Sequence, residues 1–182
     1  KAASERAGTP MSETEFWIEL SKVYKTSEGK IPVFRDFIHT HPEILSSCII
    51  FVETKEYGLE ILNLVHEIST EFHTYFGDDE SEELERFAKG EIKCLLTCHR
   101  LSEGIDIRSL QNVILLSSAK AKLETIQRIG RCLRSDPSNP SKVANVVDFI
   151  RTSDDEDDNE PNADSERQDF LNHLSQIRPE TT

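Results

Sequence analysis

The chain has 182 residues, 21 of them basic and 34 acidic, a formal net charge of −13, and a hydrophobic fraction of 36%. That length holds one domain with a sizeable core plus shorter segments, and the low apolar fraction is explained by polar ends. No stretch reaches the roughly 18 apolar residues of a membrane span and no secretory signal opens the chain, so no membrane partner and an intracellular location (cytoplasmic, nucleoid or nuclear) are expected.

The acidic balance speaks against a plain nucleic-acid binder, whose footprint is basic. Much of the excess, however, sits in one run, Asp154–Asp155–Glu156–Asp157–Asp158–Asn159–Glu160, so the average says little about the remaining surface. Cys48, Cys94, Cys98 and Cys132 lie on or beside apolar segments and read as buried intracellular thiols. The spacing of Cys94 and Cys98 stands alone, without a second ligand pair, and no metal site is expected.

Residues Lys1 to Pro10 are small and polar and read as a linker, and the absence of an initial methionine suggests a fragment of something longer. Phe16, Trp17, Leu20, Val23 and Tyr24 recur at helical spacing and predict an amphipathic helix. Gly29–Lys30 is no phosphate loop, because Tyr24 stands where an earlier glycine is needed and Ile31 where Ser or Thr must follow. Val33 to Ile38 predicts a short helix and Ser47 to Val52 the first strand. A helix is expected from Tyr57 to Ile68, with Leu62, Val65 and Ile68 as its apolar line and Ile61 and Leu64 widening it. Phe72 to Phe76 reads as a second strand, followed by a turn at Gly77 and Asp78–Asp79. Ser81 to Lys89 reads as a helix closed by Gly90.

Ile92 to Leu96 predicts a third strand and Val113 to Leu116 a fourth. A helix over Ala121 to Arg134, a turn enclosed by Pro137 and Pro140, and a fifth strand from Val143 to Ile150 follow. Beyond the acidic run, Ser165 to Ile177 predicts a terminal helix able to dock through Phe170, Leu171, Leu174 and Ile177. Strands alternating with helices imply an α/β fold, a three-layer parallel sheet flanked by helices.

Two stretches carry chemistry. In Glu124 to Arg134, the arginines Arg128, Arg131 and Arg134 run down one side of the expected helix, and Ile126, Ile129 and Leu133 face the other way. Like charges at that spacing repel by a few tenths of a kcal/mol per pair, roughly, while guanidinium groups suit bidentate contact with phosphate oxygens. Gly130 costs about 1 kcal/mol against alanine inside a helix and permits close approach. On its own such a stripe is most simply a solvated basic face. The second stretch, Leu95–Leu96–Thr97–Cys98–His99–Arg100–Leu101–Ser102–Glu103–Gly104–Ile105–Asp106–Ile107, is a buried strand emptying into a polar loop. Ligands of open α/β sheets sit outside the carboxyl ends of such strands.

Taken together, this loop and Gln127 to Arg134 resemble motifs V and VI of superfamily 2 helicases. Ser47–Cys48–Ile49–Ile50–Phe51–Val52–Glu53–Thr54–Lys55 resembles motif IV. With three motifs in the family's order, the chain is identified as a member, matching the second, C-terminal RecA-like domain, which lacks its own phosphate loop. The resemblance implies that residues 31–152 are the RecA-like domain, while composition and periodicity read 1–30 as a linker plus amphipathic helix, 153–164 as an acidic loop, and 165–182 as a terminal helix and tail.

It further implies roles. Arg131 and Arg134 match the arginines that reach the γ-phosphate, and Gln127 and Arg128 match positions that bond across the cleft to a first RecA-like domain. Asp106 matches the carboxylate that accepts from the ribose, with Gly104 beside it, and Thr54 and Thr97 match contacts to the nucleic-acid backbone. ATP and Mg²⁺ are implied cofactors, bound mainly by the first RecA-like domain of the same parent chain. The isolated chain is therefore expected to be inactive as an ATPase. Gln127 and Leu133 stand where DEAD-box RNA helicases usually carry histidine and glycine, which favours a double-stranded-DNA helicase or translocase. Phe51–Val52–Glu53–Thr54–Lys55 suits a DEAD-box motif IV and keeps RNA open, and a motor-derived module used for protein interaction is a further reading.

Overall fold

Cys48–Ile49–Ile50–Phe51–Val52 is apolar at every position, which suits a strand covered on both faces and no other place in a small domain. In the computed structural model, which describes residues 12, 29–76, 82–98, 107, 110–116, 130, 139, 142–150 and 163–176, this run is the middle of the sheet. Chain order is α1 (Lys30–Thr40), a 3-10 turn (Pro42–Leu45), β1 (Cys48–Phe51), α2 (Lys55–His66), β2 (Phe72–Tyr75), α3 (Glu82–Ala88), β3 (Cys94–Thr97), β4 (Asn112–Leu115), β5 (Asn145–Asp148) and α4 (Ala163–Gln176). The five strands run in the order β2-β3-β1-β4-β5. Every pairing is parallel, with Phe51 level with both Thr97 and Leu115.

Alternate residues of β1 feed two cores. Cys48, Ile50 and Val52 join Phe34 and Ile38 of α1 and Tyr57, Ile61 and Val65 of α2 on one face. Ile49 and Phe51 join Leu84 and Phe87 of α3 on the other, together with Ile92, Ile107 and Leu110, and Leu171 of α4 packs against that cluster. This is the expected helix–sheet–helix layering.

The element types follow the sequence reading, with shifted ends. α2 begins at Lys55 rather than Tyr57, because Thr54 caps it by accepting from the Tyr57 amide at 3.2 Å. Its buried line is Tyr57, Gly58, Ile61 and Val65, whereas Leu62, Leu64 and Ile68 are only half-buried. Ile61 and Val65 of the expected face are fully buried, Leu62, Leu64 and Ile68 flank the same core, and Tyr57 and Gly58 extend that face at the first turn. β5 starts at Asn145, and Val143, expected to open it, is 70% exposed. β3 extends to Thr97, a β-branched residue paired on both sides. Gly90 has φ +79°, and the bonds Glu91 N to Arg86 O and Gly90 N to Phe87 O, both 3.0 Å, close α3 in a Schellman motif. Cys48 and Cys94 are buried and Cys98 is half-buried. The expected helices at 16–24 and 121–134 (apart from Gly130), the turns at 77–79 and 137–140 (apart from Asn139), the acidic run, Cys132, Ile177 and the side chain of Leu174 lie outside the described residues.

The amino-terminal edge of the sheet is tied by side chains. Asn112 donates to Ser46 O at 2.6 Å, and Asn145 donates to Asn112 Oδ1 at 2.8 Å. Ser47 adopts φ 49° there, and its carbonyl accepts from Gln111 N at 3.0 Å and Asn112 N at 3.1 Å. At the opposite edge Arg167 of α4 grips Asp148 of β5 through Nε to Oδ2 and Nη2 to Oδ1, the side chains being 7% and 4% exposed. On the surface Arg35 and His39 of α1 both donate to Glu67 Oε2, at 3.0 and 3.1 Å.

Two outcomes are expected. Arg167→Met strands a buried carboxylate and should lower unfolding free energy by about 3 kcal/mol or more, while the double change with Asp148→Leu should recover much of that loss in denaturant titrations. The His39 hydrogen bond, with Arg35 behind it, holds the Glu67 carboxyl below its ordinary range. A carboxylate depressed in the native state stabilises it above the ordinary glutamate range and loses that contribution as pH falls through the native value. Thermal melts from near neutrality into acid should therefore fall less steeply for Glu67→Gln than for the unaltered chain.

Candidate functional site

Because every strand is parallel, all five carboxyl ends meet along one edge. The chain leaves β1 toward β2 and leaves β4 toward β5, in opposite directions, so the carboxyl ends of β1 and β4 flank a topological switch point. Such a crevice is where open α/β sheets receive ligands.

Of the eight site residues inferred from sequence, the structure describes Thr54 and Thr97 and brings them to this edge. Thr97 is the last residue of β3, pairs with Phe51, and is fully buried. Its carbonyl accepts from Val52 N at 2.9 Å, which carries the β1–β3 ladder one residue past the strand. Thr54 lies two residues beyond Val52 with extended backbone and is half-buried. Its hydroxyl oxygen accepts from Tyr57 N and its carbonyl from Gly58 N at 2.9 Å. A hydroxyl that accepts in this way still holds one O–H to donate. Gly104, Asp106, Gln127, Arg128, Arg131 and Arg134 lie outside the described residues.

The flanks of motif V are fixed firmly. Thr97 is locked in the sheet, and Ile107, 1% exposed, enters the second core with Leu110, whose N–H donates to Ile107 O at 3.2 Å. At Gly130 an added Cβ would meet nothing within 4 Å, so among the described residues no close approach demands that glycine.

Three features of this edge were not read from the sequence. Lys30, at the start of α1, reaches across to donate from Nζ to Leu116 O at 3.2 Å, just past β4. Its 86-residue separation from Leu116 left no local signal. Thr54 acts as a helix cap, a role signalled by threonine directly before Lys55, where α2 begins. Tyr57 is 4% exposed, and its hydroxyl finds no hydrogen-bond partner among the described residues. Burial, with a smaller contribution from Glu60, pushes that phenol up to about 12. The described residues contain no group of three or more His, Cys, Asp or Glu that could hold a metal ion. No helix among them is long and apolar enough to cross a membrane.

Comparison with known proteins adds the following. The family model for the helicase conserved C-terminal domain matches residues 29–136. The chain is 31% identical over 117 residues to the ATP-dependent RNA helicase DbpA of Escherichia coli, covering 62% of this chain and 25% of that protein's length. Its fold resembles the C-terminal domain of the DEAD-box protein Dbp5, with TM-score 0.56, 21% identity, and coverage of 82% of this chain and 80% of that one. It also resembles the C-terminal part of the Fun30 ATPase domain, with TM-score 0.55, 14% identity, and coverage of 93% and 56%.

Tyr57→Phe removes a buried hydroxyl without a partner among the described residues while keeping the backbone N–H that Thr54 accepts as cap. Denaturant midpoints should show unchanged stability or a gain of up to about 1 kcal/mol.

Proposed function

The chain belongs to the helicase conserved C-terminal domain family, and from that premise we propose that it is the second motor domain of an ATP-dependent nucleic-acid helicase or translocase. The observation that carries this reading is the family match over residues 29–136, joined to the meeting of motif IV and motif V strand ends at one sheet edge. Thr54, with a hydroxyl donor left after capping, is suited to a phosphate oxygen of a strand lying across that edge. Contacts of this kind position a strand without reading its bases. A contact by the sealed Thr97 would need the end of β3 to open, whereas Thr54 needs no rearrangement.

The crevice between the ends of β1 and β4 is of the kind that accepts a nucleotide, and the motifs assign it residues in kind. Asp106, with Gly104 beside it, would accept from the ribose hydroxyls. Arg131 and Arg134 would neutralise charge on the γ-phosphate oxygens. Gln127 and Arg128 would bond to a first RecA-like domain of the same parent chain. ATP, when bound, supplies the phosphoryl group for transfer to water, and that first domain would hold Mg²⁺ and the phosphate loop. Alone, the chain should hydrolyse no ATP.

RNA is the polymer better supported. The 31% identity to a protein named as an RNA helicase runs over 117 residues, and Phe51 to Lys55 suits a DEAD-box motif IV. The preference for DNA expected from Gln127 and Leu133 rests on two positions and gains no support from the comparisons. DNA remains the second reading on those two residues.

The test is the ATPase rate of the parent protein with RNA, single-stranded DNA and duplex DNA, for wild type and Arg131→Ala. Stimulation by RNA, lost by roughly two orders of magnitude or more in the variant with its fold intact, is the expected result. Stimulation by duplex DNA alone would move the protein to the DNA translocases. A parent without ATPase, or one indifferent to Arg131, would overturn the motor reading in favour of a binding module.

A further inference from the structure

We propose that Gly58 is a positioning residue that sets where Thr54 stands on the sheet edge, an inference that rests on the strand-contact reading of Thr54 above. Both oxygens of Thr54 are held by consecutive residues of the first turn of α2, the hydroxyl by Tyr57 N and the carbonyl by Gly58 N. Thr54 therefore moves with that turn. The turn itself is seated through Gly58. A Cβ on Gly58 would lie 2.7 Å from Cζ and 3.0 Å from Cε1 of Phe76, and 3.1 Å from Cγ2 of Val52. Carbon atoms ordinarily settle about 3.5–4.0 Å apart, so an alanine would have to open this contact by roughly half an ångström or more.

The neighbours cannot easily give way. Phe76 and Val52 are 5% and 1% exposed and share one core with Tyr57, Ile61 and Leu96. Val52 is also anchored by its N–H to Thr97 O. The displacement falls on the first turn of α2 and carries Thr54 away from the ends of β1 and β3. Glycine is a poor residue for a helix interior compared with alanine, and close backbone approach is what it permits here. The same contact joins the ends of β1 and β2 to the start of α2, so a single methyl group there would shift the first turn of α2 relative to both strand ends.

The test uses the full 182-residue chain with Gly58→Ala, Phe76→Leu, the double variant, and Thr54→Ala as a separate control. Amide hydrogen exchange at Tyr57 reads the cap, and binding of a short poly-U RNA at one fixed salt concentration reads the strand contact. Gly58→Ala should speed Tyr57 exchange and weaken the oligonucleotide by about tenfold; a neutral hydroxyl releases no counterion, so affinity and not its salt dependence is the readout. Phe76→Leu, by trimming the ring, should restore both exchange and affinity in the double variant. If Gly58→Ala lowers the melting temperature but leaves the cap and affinity intact, Gly58 is packing alone and the proposal is overturned. If Gly58→Ala does not fold, the double variant is compared with Phe76→Leu alone, and full binding without protection at Tyr57 overturns it equally. Should the chain bind poly-U while Thr54→Ala leaves the affinity unchanged, the reading of Thr54 fails. Absence of binding by the unaltered chain overturns both together.

Discussion

The structure depends on β1 being a strand with no solvent face and no free edge. Its backbone pairs with β3 on one side and β4 on the other, and its side chains alternate between two cores. A strand so enclosed must be apolar at every position, and burial of each such side chain contributes on the order of 2 kcal/mol. Parallel pairing has a second consequence. Parallel neighbours need crossover connections, and these bring every strand's carboxyl end to the same side. The location of a site is therefore settled by the way β1 is buried, before any polar residue is considered.

The two edges of the sheet are built differently. At the amino-terminal edge Asn112, Asn145 and the Ser46–Ser47 carbonyls knit β1, β4 and β5 together, with Ser47 held in a left-handed backbone conformation by the bonds its carbonyl accepts. A non-glycine residue in that region is strained, and the surrounding bonds offset the cost. At the carboxyl edge the ties among the described residues are Lys30 to Leu116, Leu116 N to Phe51 O, Val52 N to Thr97 O, the Arg167–Asp148 pair and the cap at Thr54. One edge is fastened by asparagine amides reaching backbone and each other, the other by main-chain bonds that continue the ladders past the strands and by two long charged side chains, Lys30 and Arg167, supplied from helices.

The sheet and its layering were legible because their signal is local and strong. Short apolar runs bounded by polar residues, Cys48–Val52, Cys94–Leu96 and Val113–Leu116, read as the strands β1, β3 and β4, and Gly90 reads as a helix stop. What failed was the part decided by distant partners. On α2 the expected face is the buried one, but its extension onto Tyr57 and Gly58 carries no apolar signature in a periodicity count. Val143 is apolar but exposed, since nothing in its own sequence says where pairing with β4 begins. Lys30 meeting Leu116 and Arg167 meeting Asp148 left no trace in spacing at all. At the site, motif order marked the edge, and Thr54 and Thr97 do share it. The burial of Thr97, and the occupation of Thr54 by its own helix, are tertiary facts that no motif encodes.

The motifs that identify the domain end before the structure that supports them. The family match stops at residue 136, yet β4 pairs along its whole length with β5, which spans Asn145 to Asp148. Without β5, β4 would become an edge strand with unpaired backbone groups, and Val113 and Leu115 would lose the cover of Val146. β5 in turn is an edge, and α4 secures it through Leu171 on the apolar side and the buried Arg167–Asp148 pair on the polar one. A pair with both partners out of water stabilises little relative to two apolar residues, but it fixes orientation, because either partner left alone is costly. Asp148 is level with Leu115, and Leu115 with Phe51, so the grip of α4 is transmitted across two strands to the edge where Thr54 and Thr97 meet. The carboxyl edge of the sheet is held by residues well outside the stretch that identifies the family.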